Sequence, residues 1–333
     1  MPRIDWLGYV VLVAAMAAIY INGSGYALTI GMTIMIWSML AIGLNVPLGL
    51  TGYYHMGIGA FFGLGAYGAG FMAVRLGQPL IVPLLVMPVI GAVISAAIGP
   101  IILRIRGLHF ATATLAIGMI ASDVMNNWVA VTGGPLGLAG IVRPAPMVFG
   151  PVTIDLSQNS GFYLLGCALT LALLIWFAWF RTTAFALVLR GIKSDDLQTR
   201  AFGYSTMRYK VGAFAISGAI AAAVGVYYAF FIQYISPEPF SFAASSFQAF
   251  VILAVGGIGS LWGPVLGATL ITVLPEVLDL QPQVRVMTYG AILLVVIVFL
   301  PRGLASFGAY LRRAGRAPAR EKVQPAPLEQ PAK

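Results

Sequence analysis

The sequence predicts an all-α membrane protein, a polytopic transmembrane helical bundle that crosses the lipid bilayer many times. Of its 333 residues, 60% are hydrophobic and only 9% are charged, whereas soluble domains have about 25% charged residues. The apolar residues form many separate runs, and about 20 such residues suffice to cross the hydrocarbon core. Runs such as 80–103 show no alternation of polar and apolar positions, which argues against a membrane β-barrel.

Taken in order, the apolar runs predict about ten spans. The first run follows Arg3 and resembles a secretory signal, but no small-x-small cleavage site follows it cleanly, so we interpret it as a span. The eighth and ninth runs are short and also fit one broken or re-entrant element, so the predicted range is about eight to ten spans. The runs cover 6–22, 27–50, 56–74, 80–103, 108–124, 161–180, 211–235, 246–260, 264–278 and 286–301.

The basic residues set the predicted orientation. With ten spans and both termini in the cytoplasm, all but three of the 19 Lys and Arg residues lie on the cytoplasmic side, where such residues are usually in excess. The exceptions are Arg75, Arg143 and Arg285. The membrane domain is predicted to cover 1–307, with an outer loop at 126–160. Residues 308–333 form a basic cytoplasmic tail without apolar periodicity, which we expect to be disordered.

Several kinds of chemistry are excluded by what the sequence lacks. No lysine follows a glycine, so the Gly-Lys-Ser/Thr phosphate-binding loop is absent and the chain has no ATP site of its own. The single Cys167 lies inside a predicted span, and no nucleophile motif accompanies His55 or His109. We therefore expect no catalytic residue, enzyme activity, metal site or cofactor in this chain. Because the basic residues lie mostly at span ends and in the tail, we expect the bilayer as partner and no nucleic acid.

The interiors of the predicted spans contain almost no ionisable residues. Ion-coupled transporters commonly place such residues in the middle of the membrane, although backbone carbonyls alone can hold sodium. We therefore interpret the chain as a path across the membrane, with energy supplied from elsewhere or with passive flow.

Glycines crowd the third predicted span and recur near the ninth. Gly59 and Gly63 lie four residues apart, as in the small-xxx-small faces that let helix backbones approach closely. Gly257, Gly259 and Gly263 belong to a segment that closely repeats the same stretch. We predict that these five glycines serve helix packing, either as ordinary close contacts or within broken helices beside a solute path.

The interval 181–210 interrupts the apolar pattern. It holds eight charged residues, six of them basic, so it is predicted to lie in the cytoplasm. Ser194 is a suitable N-cap, the two aspartates that follow it oppose the positive end of a helix dipole, and Gly203 supplies a left-handed stop. The predicted helix, 194–202, is too short to be stable alone in water. We interpret it as a docking helix for a separate motor; a plain connecting helix is the alternative.

Four local motifs resemble those of a known family. They are Gly63-Leu64-Gly65-Ala66-Tyr67, Arg106-Gly107-Leu108 leading to Thr114-Leu115-Ala116, Thr132-Gly133-Gly134 with Gly137-Leu138, and the stretch from Gly256 to Pro264. Together with the 190–203 segment, they resemble the inner-membrane permease subunits of ABC importers for branched-chain amino acids, of the LivM type. The resemblance runs from about Leu40 to Leu304.

The resemblance implies a subunit of an importer in the bacterial inner membrane that moves a small polar solute by alternating access. Its partners would be a second, LivH-like permease subunit, two cytoplasmic ATPase subunits that bind ATP and Mg²⁺, and an extracytoplasmic solute-binding protein. ATP binding would move the predicted docking helix. The residues expected to couple this movement are Arg190, Ser194, Asp195, Asp196, Arg200 and Gly203, and those expected to receive the solute-binding protein are Thr132, Gly133 and Gly134.

The chain departs from the family pattern at positions expected to line the path. Members usually have a Gln, a Ser and a further polar residue where this chain has Tyr53, His55 and Ile58, and many carry an acid in place of Gln248. Tyr53, His55 and Gln248 are therefore the path candidates. Branched-chain or other amino acids are the expected cargo, while urea, short amides, and aromatic or other organic acids stay open. The alternative from another class is a stand-alone ion-coupled transporter or channel.

Overall fold

The computed structural model describes residues 6–105, 107–144, 147–149, 152–277 and 303–306, together with positions 284, 287, 290 and 294. The α-helices in this part of the chain are α1 (Trp6–Asn22), α2 (Gly25–Thr51), α3 (Ile58–Leu76), α4 (Ile81–Ile102), α5 (Leu108–Asn127), α6 (Val129–Thr132), α7 (Asn159–Phe180), α8 (Ala184–Ser194), α9 (Asp196–Ala201), α10 (Thr206–Ile232), α11 (Gln248–Gly256) and α12 (Gly263–Val277). The strands are β1 (Leu138–Ala139), β2 (Met147–Phe149), β3 (Val152–Ile154) and β4 (Tyr234–Ile235). Short 3-10 turns cover Gly134–Leu136, Glu238–Phe240 and Leu304–Ser306, and a π-helical turn covers Phe242–Phe247.

The predicted all-α architecture is confirmed. Five helices, α2, α3, α4, α7 and α10, are long and apolar enough to cross a membrane, and each overlaps one predicted run. α1, α5 and α12 also coincide with predicted runs. The tenth predicted run, 286–301, lies outside the described residues except for three single positions, and the tail, 308–333, lies wholly outside them. The count of ten spans and the position of both termini therefore stay predictions.

The predicted eighth helix, 246–260, is wrong at both ends. Its α-helical part, α11, stops at Gly256 because Gly257 has a φ of 118°, a conformation that residues with side chains rarely adopt. At the other end, the Ser241 hydroxyl accepts a hydrogen bond from the Ala244 amide. This cap begins a π-helical turn that leads into α11.

α10 is the central helix of the described bundle and packs against α2, α3 and α4. Its backbone touches that of α3: a side chain on Gly65 would overlap the carbonyl of Ala222, and one on Gly225 would overlap the backbone of α3. Gly91 on α4 likewise faces Gly218 on α10. Because small residues let membrane helices approach closely, these four glycines set the spacing of the core.

Gly59 and Gly63, which were predicted to pack against another helix, face the turn that precedes α11 and the end of α5. A side chain on Gly59 would overlap the hydroxyl of Ser245, and one on Gly63 would overlap Met125. The backbone amide of Gly59 also donates a hydrogen bond to Ser246 Oγ at 2.9 Å. Close packing is therefore present at both glycines, but with a π-helical turn and a methionine side chain rather than with a helix backbone.

Arg143 fastens the loop between α6 and α7 to the C-terminal end of α10. Its guanidinium donates hydrogen bonds to the carbonyls of Phe230 and Phe231, at 3.2 and 3.0 Å, and to Asn159 Oδ1 at 2.7 Å. A cation is stabilised there because a helix C-terminus carries partial negative charge. Nearby, β1 pairs antiparallel with β4, which follows α10. The predicted outer loop, 126–160, is thus held against the end of α10 that lies opposite α9.

Candidate functional site

The interval 181–210 folds as two helices, α8 and α9, followed by the first turn of α10. Thr183 caps α8 by accepting a hydrogen bond from the Ala186 amide at 3.3 Å, and Arg190 donates a hydrogen bond to the carbonyl of Arg181, which closes the corner after α7. α8 packs on α2 and α10. Sequence analysis missed this helix, although its threonine cap and the spacing of its buried residues were readable. The buried residues are Ala186, Val188, Leu189 and Ile192.

Asp195, and not Ser194, is the N-cap of α9. Asp195 has an extended backbone with φ of −158°, and its Oδ1 atom accepts hydrogen bonds from the amides of Leu197 and Gln198 at 2.8 and 3.1 Å. Ser194 is the last residue of α8, and Asp195 lies between it and the first residue of α9. The predicted cap is therefore wrong by one residue. The charge of Asp195 also opposes the positive end of the helix dipole.

α9 ends next to the predicted left-handed stop. Its last residue is Ala201, and Gly203 has a φ of 86°, which glycine adopts without the steric cost that a Cβ would bring. The helix is Asp196–Ala201, shorter than the predicted 194–202. α10 then begins at Thr206, earlier than the predicted start of the seventh span.

Two contacts fix α9 to α10, one from Asp196 to Lys210 and one from Arg200 to Thr206. The Oδ2 atom of Asp196 lies 3.0 Å from a guanidinium nitrogen of Arg200 and 3.0 Å from Lys210 Nζ. Arg200 also donates a hydrogen bond to the Thr206 hydroxyl at 2.9 Å. Burial opposes ionisation of Asp196, but hydrogen bonds from Lys210 and Thr206 and the charges of Lys210 and Arg200 hold the pKa of its carboxyl below the ordinary value. Asp196 is therefore ionised at neutral pH.

Three large apolar side chains on or directly after α9 are exposed, beside the exposed polar residues Gln198 and Arg200. Leu197 is 64% exposed and Phe202, directly after the helix, is 81% exposed. Tyr204 is also exposed, whereas Thr199 on α9 is buried. We name Leu197, Phe202 and Tyr204 the α9 patch. All three lie between positions 197 and 204, and exposed apolar patches are typical of interaction sites.

The first turn of α10 also contacts the connection between α2 and α3. This connection, residues 52–57, is not helical, and we name it the 52–57 segment. Lys210 Nζ donates a hydrogen bond to the Tyr53 hydroxyl at 2.8 Å. The ring of Tyr53 packs edge-on against that of Phe110 on α5, with 5.0 Å between centroids. α9 and α5 are therefore joined through Lys210 and Tyr53, and sequence analysis missed this role because it counted Lys210 only as a loop charge.

Two of the three predicted path residues, Tyr53 and His55, reach one cluster of rings through Phe110 and Phe214. Tyr53 belongs to the junction just described. His55 is buried with its ring 4.5 Å from that of Phe214 and 5.8 Å from that of Phe61, and neither ring nitrogen has a hydrogen-bond partner in the described part of the chain. Gln248 is half-buried at the start of α11. Within the described residues, no hydrogen bond or ring contact joins it to the other two, and no group of His, Cys, Asp and Glu could hold a metal ion.

The residues predicted to receive a solute-binding protein shape the outer loop from within. Thr132 Oγ1 donates to the carbonyls of Met125 or Trp128, at 2.7 and 2.8 Å, and accepts a hydrogen bond from the Gly134 amide at 3.1 Å. Thr132 and Gly134 are buried, and Gly133 has a φ of 76°. The nearby surface is formed instead by Leu136, which is 84% exposed. A protein that docks here would meet Leu136 before it met the three predicted residues.

Asn45 of α2 holds the turn between α11 and α12, which sequence analysis did not single out. Its amide donates to the carbonyl of Ser260 and accepts from the amide of Gly259, both at 2.8 Å. Gly257 and Gly259 have φ of 118° and 81°, so they serve this turn, and a side chain on Gly263 would overlap the Ser260 hydroxyl. A buried amide in an apolar span was the signal that could have identified Asn45.

A cavity of about 370 Å³ lies between α3, α4 and α5. Its wall is apolar and includes Leu64 and Phe71 of α3, Ile94 of α4 and Ile117 of α5. The hydroxyl of Tyr67, also on this wall, has no hydrogen-bond partner in the described part of the chain. A cavity of this size and lining accommodates a small apolar group.

Comparisons with known proteins give the chain a family. A family model described as "Branched-chain amino acid transport system / permease component" matches residues 26–301. The high-affinity branched-chain amino acid transport system permease protein LivM of Escherichia coli (strain K12) is 29% identical over 290 residues, 81% of this chain and 68% of that protein. The probable LivM of Methanocaldococcus jannaschii is 22% identical over 241 residues, 68% of each chain.

A further relative has a different name. The autoinducer 2 import system permease protein LsrC of Escherichia coli (strain SMS-3-5) is 28% identical over 244 residues, 65% of this chain and 70% of that protein. The family match covers most of the chain and includes the five helices of membrane length. The chain therefore belongs to the family of branched-chain amino acid transport system permease components, the multi-pass membrane subunits of ABC importers.

Proposed function

We propose that the chain is the LivM-like subunit of an ABC importer for branched-chain amino acids in a bacterial inner membrane. It has about ten spans and cytoplasmic termini, pairs with a LivH-like permease subunit, and receives its cargo from an extracytoplasmic solute-binding protein. Two ATPase subunits that bind ATP and Mg²⁺ drive alternating access. The observation that carries the coupling part of this proposal is the α9 patch on a helix fixed to α10.

The position of the α9 patch suits a docking motor. α10 has 27 residues and is about 40 Å long at 1.5 Å per residue, so it separates α9 at one end from β4 and the predicted outer loop at the other. α9 has six residues and would not persist alone in water. The cap at Asp195 and the ion pairs of Asp196 hold it in place. A partner that grips the patch and moves would therefore pull directly on α10.

Capture of the ATPase subunits tests this docking. We expect Phe202→Asp to reduce co-purification of the ATPases with the permease pair about tenfold or more, because a buried charge at an interface centre costs several kcal/mol. Leu136→Asp is the matched control, since Leu136 is equally exposed but lies at the opposite end of α10. If the Phe202 variant captures as much ATPase as the unaltered permease pair, the α9 patch does not bind the ATPases.

Two observations support an amino acid as cargo. The relatives named LivM are described as branched-chain amino acid permeases. In addition, an apolar cavity of about 370 Å³ lies beside α3. The size and apolar wall of this cavity suit a branched side chain.

Uptake of labelled leucine tests the cargo. Proteoliposomes with the permease pair, the ATPases and the solute-binding protein should take up leucine when ATP is supplied on the side of the membrane that carries the ATPases. Unlabelled isoleucine and valine should compete with this uptake. Urea, benzoate and autoinducer 2 are the comparison solutes, since the sequence left amides and organic acids open and one relative is named for autoinducer 2 import. Competition by one of these, without competition by isoleucine or valine, would assign a different cargo.

A further inference from the structure

Lys210 occupies an unusual position between α9 and the 52–57 segment. Its side chain is only 2% exposed, and a buried ammonium group is costly unless every proton finds a partner. Nζ lies 3.0 Å from Asp196 Oδ2 and 2.8 Å from the Tyr53 hydroxyl, and 4.8 Å from the centre of the Tyr53 ring. One buried cation therefore ties the docking helix to the connection between α2 and α3.

Beyond Tyr53, the contacts continue into α5. The Tyr53 ring packs on Phe110, near the start of that helix. The amide of Met56 donates a hydrogen bond to Thr114 Oγ1 at 3.0 Å, and a side chain on Gly57 would overlap the carbonyl of the same threonine. The 52–57 segment is thus held to α5 by two contacts, one at Phe110 and one at Thr114. Since α5 and α3 both line the apolar cavity, a shift of the segment would reach the cavity wall.

We infer that Lys210 and Tyr53 are positioning residues that transmit movement of α9 to the 52–57 segment and α5. This inference rests on the proposed function, because it assumes that the ATPases move α9. When α9 shifts, Asp196 draws Lys210 with it, and the hydrogen bond to Tyr53 passes the displacement to α5. Without the hydrogen bond between Lys210 and Tyr53, the ATPases still dock and hydrolyse ATP, but ATP hydrolysis no longer opens the solute path.

Tyr53→Phe is the sharpest test, because it removes one hydroxyl and keeps both the Phe110 contact and the Lys210–Asp196 ion pair. In the complete reconstituted importer, leucine transported per ATP hydrolysed should fall about tenfold, the effect expected from one lost hydrogen bond to a charged group. ATP hydrolysis stimulated by the solute-binding protein should stay close to that of the unaltered complex. Tyr209→Phe is the matched control, since Tyr209 neighbours Lys210 and packs its ring on Phe185. This variant should transport as much leucine per ATP hydrolysed as the unaltered complex.

A double-mutant comparison separates transmission from general damage. Lys210→Met should lower the same ratio, and adding Tyr53→Phe to it should lower the ratio no further, because both changes break one connection. A purely structural role would instead reduce protein amount, hydrolysis and transport together and leave the ratio unchanged. Should Lys210→Met fail to fold, the Tyr53 variant alone decides.

The two proposals fail in different ways. If the unaltered complex shows no ATP-dependent uptake, the proposed function is wrong. If it transports leucine and Tyr53→Phe transports as much leucine per ATP, only the transmission by Lys210 and Tyr53 is wrong.

Discussion

Lys210 Nζ and Asp196 Oδ2 lie 3.0 Å apart and join the first turn of α10 to the first turn of α9. The lysine is buried and the aspartate nearly so, with side chains 2% and 17% exposed. Breaking such a pair from one side leaves the other charge poorly solvated. The ion pair therefore ties α9 to the membrane helix α10.

The first prediction concerns stability. Lys210→Met should lower the free energy of unfolding by about 2–3 kcal/mol, the range for a hydrogen bond to a charged group that leaves its partner unsatisfied. Thermal unfolding of the detergent-solubilised permease measures the change. Arg208→Met is the control, because Arg208 is exposed on the same turn and surface changes usually stay within about 0.5 kcal/mol. Equal melting temperatures for the two variants would show that the ion pair does not hold the junction together.

The second prediction concerns pH. The pKa of Asp196 is lower in the folded protein than its ordinary value, which is about 3.9 when unperturbed. The stabilisation is therefore complete above that value and is lost as the pH falls through the lower, folded-state pKa. Deuterium exchange of the α9 amides, corrected for intrinsic rates, should be equally slow at pH 7 and pH 5 and should accelerate only below about pH 4. Asp196→Asn should exchange faster throughout, without this step; a step between pH 5 and pH 7 contradicts the assignment.

The third prediction concerns the end of α9. Gly203 has a φ of 86°, and among the described residues no neighbouring atom lies within 4 Å of the position a Cβ would take, so backbone strain decides the effect of a substitution. Pro requires a φ near −65°, so Gly203→Pro should reorient α9 and abolish ATP-driven transport with little loss of folded protein. Gly203→Asn is the milder comparison, because Asn tolerates the left-handed region. Transport by the Pro variant at the normal rate would mean that the orientation of α9 is irrelevant to coupling.

The fourth prediction concerns the contact between α3 and α10. Gly65→Ala places a methyl group where the Ala222 carbonyl lies, and overpacking of this kind costs about 1–3 kcal/mol. The melting temperature of the solubilised protein should fall accordingly. Gly25→Ala is the matched control: Gly25 lies at the start of α2, and no neighbouring atom in the described part of the chain lies within 4 Å of the added methyl. A melting temperature unchanged by Gly65→Ala would show that the two helices have room to separate.

The sequence predicts most of the membrane helices because each is a long apolar run, and this signal needs no tertiary information. α2, α3, α4, α7 and α10 all follow such runs. The start of α10 is different. Arg208 and Lys210 lie near its start, so the sequence pattern there is typical of a loop. The structure shows instead that Lys210 is buried against Tyr53 and Asp196. Charge alone cannot reveal that an ammonium group has found two partners.

The docking region shows where local reasoning reaches its limit. A helix after residue 194 and a left-handed Gly203 follow from capping and propensity rules. The choice between Ser194 and Asp195 as cap depends on where α8 ends, and sequence analysis had not identified α8. The path candidates show a similar limit: whether Gln248 meets Tyr53 and His55 depends on the packing of two separate elements, α11 and the 52–57 segment.

Solute uptake by proteoliposomes is the most direct test of the central claim, that this chain is a path worked by separate ATPases. The permease pair without ATPases should accumulate no leucine under a proton or sodium gradient. The complete complex should accumulate leucine only with ATP and the solute-binding protein. Accumulation by this chain alone under an ion gradient would contradict the account.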